Sequence, residues 1–199
     1  MGYLVPQGCG RLRRNQEANM AKVLHAAAIL LALSPGLAFS QTSGGPPKPG
    51  PEVKRLGYFV GTWHGEAEIK PNPFVPAGKV ASDDVCSWFA GGFAVVCDSS
   101  GTSPMGPTKA LGIMGYSAEE KAYTYYAVEN SPMAMASVPR GTFKAGEWVF
   151  DDESKMGGRM VKSRYVIHET SPTAYTFKWE MVGKDGAWLT IVEGTSTKK

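Results

Sequence analysis

Cys86-Ser87-Trp88-Phe89-Ala90-Gly91-Gly92-Phe93-Ala94-Val95-Val96-Cys97 is the stretch on which the fold turns. Two runs rich in aromatic and β-branched residues flank a Gly-Gly pair. Glycine tolerates the positive φ of a tight turn, so the stretch reads as a β-hairpin. With the turn centred on Gly91-Gly92, Ala90 faces Phe93, Trp88 faces Val95 and Cys86 faces Cys97. In an oxidising compartment such a pair is expected to form a disulfide. A two-residue turn makes the cysteines the wider, hydrogen-bonded kind of pair; a four-residue loop, Ala90 to Phe93, makes them the narrower kind. The spacing does not suit a Cys-x-x-Cys redox centre.

The same signals recur on both sides of this hairpin. Thr62–Lys70, Val80–Phe89, Phe93–Ser99, Lys109–Tyr116, Ala122–Val128, Met133–Val138, Trp148–Asp151, Arg159–Glu169, Ala174–Val182 and Trp188–Glu193 read as strands. Turn chemistry separates most of them: Pro71-Asn72-Pro73, Asn130-Ser131-Pro132, Lys144-Ala145-Gly146, Ser171-Pro172 and Asp185-Gly186. Glu52–Val60 can form one or two helical turns, and no longer helix is expected. Ten short strands joined by tight turns predict an all-β, ten-stranded antiparallel up-and-down barrel, because closure removes exposed edges. A sandwich is the alternative.

The N-terminal region reads as an address. Met20-Ala-Lys opens a run of apolar residues, Val23–Leu33, broken by Ser34-Pro35-Gly36 and followed by Ala38-Phe39-Ser40. That is the pattern of a secretory signal peptide cut near Ser40, with translation expected to start at Met20. The apolar run is too short to span a bilayer, and no other stretch is apolar enough. The expected organisation is 1–40 extension and leader, 41–51 Pro/Gly/Ser-rich linker, and 52–199 barrel domain, in a periplasmic or secreted protein. Four of the 21 basic and one of the 18 acidic residues lie in the leader, which leaves 17 of each. A neutral mature chain argues against nucleic acid or an anionic membrane as partner. The oligomeric state is left open.

Candidate chemistry is sparse. Beyond the leader the histidines are His64 and His168, with no zinc-binding spacing. Ser87, Ser99 and Ser163 lack a nucleophile-elbow context. Asp83-Asp84 and Asp151-Asp152-Glu153 read as solvated turn or strand ends rather than a calcium loop. Met133-x-Met135 admits a copper(I) reading, which strand alternation explains as well. Tyr123, Tyr125 and Tyr126 fit a barrel wall. The fullest apolar face is Tyr175, Phe177, Trp179 and Met181, which must look inward. A turn centred on Ser171-Pro172 sets Arg164 opposite Trp179, Val166 opposite Phe177 and His168 opposite Tyr175. Arg164 and His168 then share the interior, where a guanidinium would be satisfied by a carboxylate from the protein or from a ligand. A one-residue slip turns Arg164 outward and brings Val161, Tyr165 and Ile167 in.

Leu56-Gly57-Tyr58-Phe59-Val60-Gly61-Thr62-Trp63-His64-Gly65-Glu66 resembles the opening of lipocalin-like (calycin) barrels, in which a Gly-x-Trp starts the first strand and the Trp plugs one end. Phe89-Ala90-Gly91-Gly92-Phe93, Leu111-Gly112-Ile113-Met114-Gly115-Tyr116 and Val128-Glu129-Asn130 follow at intervals similar to those of the bacterial domain-of-unknown-function 1579 family. Phe93 stands where that family usually has Arg, and Ser117 and Glu129 where it has Asp. The resemblance implies a lipocalin-like barrel, often exported, with structural roles for Gly61 and Trp63. More distantly the opening is similar to nitrobindins, which implies haem on a C-terminal histidine; His168 qualifies by position alone. The expectation is an exported barrel that binds a small apolar or amphipathic molecule without catalysis and without a cofactor. The alternatives are a haem barrel, a solid interaction module, or an enzyme using Glu66, Glu68, Arg164 or His168. Trp63→Ala should damage folding, and Arg164→Ala ligand retention.

Overall fold

The structure, a computed structural model, describes residues 47–130, 137–156 and 158–199. A short helix α1 (Pro51–Arg55) runs into a 3-10 turn, Leu56–Phe59. Pro51 suits the first turn of a helix, where its missing N–H has no partner to lose. Ten strands follow: β1 (Gly61–Ile69), β2 (Gly78–Phe89), β3 (Ala94–Ser103), β4 (Gly106–Ser117), β5 (Ala122–Glu129), β6 (Arg140–Lys144), β7 (Glu147–Met156), β8 (Arg159–Ser171), β9 (Ala174–Val182) and β10 (Trp188–Lys198). Each pairs antiparallel with its sequence neighbours, and β10 returns to β1, so the sheet closes into an up-and-down barrel.

Nine of the expected strands are present. The tenth is Arg140–Lys144 rather than Met133–Val138. Of the latter, residues 133–136, with Met133 and Met135, lie outside the described residues, and Ser137 and Val138 are not strand. The leader and the greater part of the 41–51 linker also lie outside them. Among the described residues no helix is long and apolar enough to cross a membrane.

The β2–β3 hairpin pairs Phe89 with Ala94, Trp88 with Val95 and Cys86 with Cys97. Its loop is the four-residue one, with Gly91 at φ 68° and Gly92 at φ 89°. The cysteines form the narrower kind of pair, with Cα atoms 4.0 Å apart, and are joined by a disulfide.

The core lies at one end of the barrel. Leu56 and Phe59 of the 3-10 turn pack on Trp63, Val95, Trp148, Phe150 and Ile167. Trp63 is 1 % exposed, and its indole Nε1–H donates to Phe59 O at 2.7 Å. Gly61 has φ 132°, a backbone conformation that favours glycine, and lets the chain swing from the turn into β1. The Gly-x-Trp thus seals this end. Tyr58 fastens the seal from outside β1: its hydroxyl lies 2.8 Å from Ala174 O and 3.0 Å from Ser171 O, at the β8–β9 turn.

Candidate functional site

The register of β8 and β9 decides which side chains the barrel encloses. Tyr165 pairs with Trp179, Ile167 with Phe177 and Ser163 with Met181. Arg164 pairs with Glu180 and His168 with Thr176. The inward row is therefore Ser163, Tyr165 and Ile167 with Tyr175, Phe177, Trp179 and Met181. Arg164 and His168 are on the outer face: the register is the one-residue slip, with Tyr165 and Ile167 inward, and not the interior placement of Arg164 and His168. The cause is local: the tight turn is closed by Ser171 and Ala174, and a bulge between Glu169 and Ser171 shifts the register by one.

The interior has two halves. Around Trp63 the inward side chains are buried and packed ring on ring; Trp148 lies 5.1 Å from Phe59 and 4.8 Å from Tyr123, centroid to centroid. Farther along the strands the inward side chains Ser82, Asp84, Ser99, Tyr125, Tyr165, Phe177 and Trp179 are only partly buried. Residues that point into a closed barrel and still meet solvent must line open space. This lumen has an aromatic wall. Tyr125 and Tyr165 are near-parallel at 18° with centroids 6.4 Å apart, Tyr165 meets Phe177 at 5.8 Å, and Phe177 meets Tyr175 at 6.1 Å. Glycine makes room for one ring: a Cβ on Gly112 would sit 3.2 Å from the Tyr125 ring.

The facing wall is polar. Asp84 is mid-strand in β2 and opposite Trp63 and Ser99, not at a solvated strand end. Its Oδ2 accepts from Ser82 Oγ at 3.3 Å. Burial raises its pKa, and hydrogen bonds from Ser99 and Ser82 oppose the rise. The outward neighbour Asp83 takes the His64 ring and the Lys199 ammonium, both at 2.7 Å. Asp84 has no ion pair among the described residues. Its charge also acts on the phenols: Tyr125 and Tyr175 are pushed up to about 12 and Tyr165 well above its ordinary value, chiefly by burial, with Asp84 contributing to each. Ser196, 1 % exposed, is opposite Gly65 on one side and Tyr175 on the other, and its hydroxyl is buried. Asp152, expected at a strand end, is inside β7 and pairs with the inward Ser163.

Sequence reasoning had the aromatic row, Tyr175 to Met181, and the wall tyrosines Tyr123 and Tyr125, whereas Tyr126 faces outward, and it missed Asp84, Glu129 and Asp152. Alternation held the signal. Asp84 is two residues from Cys86, and Asp152 is two from Phe150, so each shares its neighbour's inward face.

The outer-face candidates do something else. Arg164 Nε donates to Glu180 Oε2 at 2.6 Å, Lys178 lies 3.0 Å from Oε1, and the guanidinium stacks on Trp188 at 4.2 Å. Burial pushes the Glu180 carboxyl up, but the bonds from Arg164 and Lys178 prevail and hold it below the usual carboxylate range. Glu66, Glu68 and His168 border an open outer groove of about 850 Å³, which Lys79, Lys178 and Glu193 also line. There Lys70 bonds Glu68 and Glu193 at 2.6 and 2.8 Å. None of the named enzyme candidates faces the lumen. Nor does His168, so the ligand offered for haem does not fit a group held inside the barrel.

The family model described as "Protein of unknown function (DUF1579)" matches residues 48–198. No curated protein matches the sequence. Among solved structures, the S-type phycobiliprotein lyase CPES from Guillardia theta is similar over 73 % of this chain and 91 % of its own, at 14 % identity and TM-score 0.53. Rv2717c from M. tuberculosis is similar over 76 % of this chain and 99 % of its own, at 10 % identity and TM-score 0.54. At such identities the likeness is one of fold.

Proposed function

We propose, for a chain that belongs to the DUF1579 family of unknown function, an exported barrel that holds a small apolar or amphipathic molecule in its lumen and catalyses nothing. One observation carries the reading: inward-facing Tyr125, Tyr165, Phe177 and Trp179 keep accessible surface above a sealed end. Rings of that kind are left partly exposed at a cost, and a ligand that covers them completes their burial. The sealed end gives the lumen a floor, and the polar residues on one wall give a ligand an orientation. The disulfide supports an oxidising compartment. That a phycobiliprotein lyase shares the fold is compatible with a small-molecule site and adds no more than that.

Uptake of a neutral apolar dye, Nile red, tests the reading. Wild-type protein should enhance its fluorescence saturably. Ala127→Trp places a bulky ring on the inward face beside Gly112 and should abolish the effect while near-ultraviolet circular dichroism stays native. Equal dye uptake by the variant would place binding outside the lumen and refute the reading. Expression of the full sequence in a bacterial host tests export: a mature chain should begin at Gln41.

A further inference from the structure

The sign of the charge inside the barrel restricts what the lumen can hold. On the inward faces between the sealed end and the rim, the ionisable side chains other than tyrosine are Asp84, Asp152 and, at the exposed end of β5, Glu129, and lysine and arginine are absent among the described residues. The inward-facing cations lie at the ends. Lys198 covers the Trp63 ring at 4.9 Å at the sealed end, and Arg159 sits beside the β7–β8 turn. An anionic head group, such as a fatty-acid carboxylate, would meet Asp84 with no cation to hold it. The opposite charge would meet a carboxylate in want of a partner and the faces of Tyr125, Tyr165 and Phe177, whose π-systems attract cations. The buried hydroxyl of Ser196 marks a further polar position on the same wall, across Gly65 from Ser82.

We infer that the lumen selects cationic amphiphiles: an ammonium head group seated between Asp84 and the Tyr125–Tyr165–Phe177 rings, with its apolar tail along Trp179. This rests on the lumen being a binding site. The geometry assigns Asp84 the charge recognition and the rings the shape. Burying Asp84 without a counter-ion is costly, and a bound cation offsets that cost.

Three probes with the same twelve-carbon chain separate the two readings: dodecyltrimethylammonium, dodecanol and dodecanoate, titrated calorimetrically below their aggregation limits. The ammonium should bind at least about tenfold more tightly than the alcohol, with the carboxylate weakest. Asp84→Asn should remove the ammonium's advantage and leave alcohol binding within about twofold. Tyr165→Leu, whose effect does not depend on Asp84, should weaken the ammonium more than the alcohol. Equal binding of ammonium and alcohol by the wild type, or tightest binding of the carboxylate, overturns the inference while the lumen remains a binding site. An ammonium preference untouched by Asp84→Asn also overturns it. Failure of all three probes to bind defeats both this inference and the lumen reading.

Discussion

At the residue scale, single positions divide into those that hold the barrel and those that face its space. Trp63 belongs to the first group. Its burial, its bond to Phe59 and its contact with Tyr175 at 4.9 Å make the sealed end one packed unit. Trp63→Ala should cost about 3–5 kcal/mol in urea denaturation, the range for truncating a buried indole. Arg164 also belongs to this group, and that reverses the sequence-based expectation. Arg164→Ala should destabilise by about 1–3 kcal/mol at neutral pH and leave Nile red uptake unchanged. The pH dependence has a definite sign. Glu180 is held below the usual carboxylate range when folded, so its contribution is present above that range and fades as pH falls through the depressed value. The gap between wild type and Arg164→Ala, measured by denaturation at several pH values, should therefore shrink in acid. A constant gap, or lost dye uptake, would contradict this assignment.

At the element scale, hairpins were legible where turn chemistry is explicit and opaque where a bulge intervenes. Gly91-Gly92 set the Cys86–Cys97 pairing, since glycine accepts positive φ cheaply, and Ala90 at φ 53° joins them in the four-residue loop. The β8–β9 hairpin defeated the same reasoning. Its bulge leaves no mark in sequence, and one residue of slip moves Arg164 and His168 from lumen to solvent. Arg140–Lys144 was missed because a five-residue strand with Gly141 and Phe143 as its inward positions has almost no apolar alternation. Asp84 and Asp152 were misread because carboxylates in sequence suggest surface, whereas their alternation with Cys86 and Phe150 places them inside. The hairpin also carries a prediction: replacing Cys86 and Cys97 together by serine should lower stability by about 2–4 kcal/mol, the usual contribution of a native disulfide. A change within error in urea denaturation would show that the strand pairing alone fixes this corner.

At the scale of the whole molecule, closure and a seal at one end were legible, and the state of the lumen was not. Strand count and the Gly-x-Trp opening gave the closed barrel and its seal. Whether the lumen is filled depends on the sum of side-chain volumes across ten strands, which no local pattern reports. The buried phenols of the seal and the interior predict alkaline behaviour. Tyr58, Tyr125 and Tyr175 are pushed up to about 12, chiefly by burial. Folded phenols that hold their protons above the ordinary value of 10.0 stabilise the fold below that value, and the stability is lost as pH rises toward about 12. Ultraviolet titration should show a late-ionising set of tyrosines, ionising together with cooperative unfolding. Ionisation of every tyrosine near 10 with the fold intact would show that these rings are not enclosed as described.

The central claim is that the lumen carries a molecule. Native mass spectrometry of the mature protein from an exporting host, set beside the denatured mass, tests it most directly. The account predicts a folded species heavier than the chain, the excess lost on denaturation and carrying an amine or quaternary ammonium group. A folded species at the bare chain mass, unchanged after incubation with dodecyltrimethylammonium and Nile red, would contradict it and leave a barrel whose interior serves the fold alone.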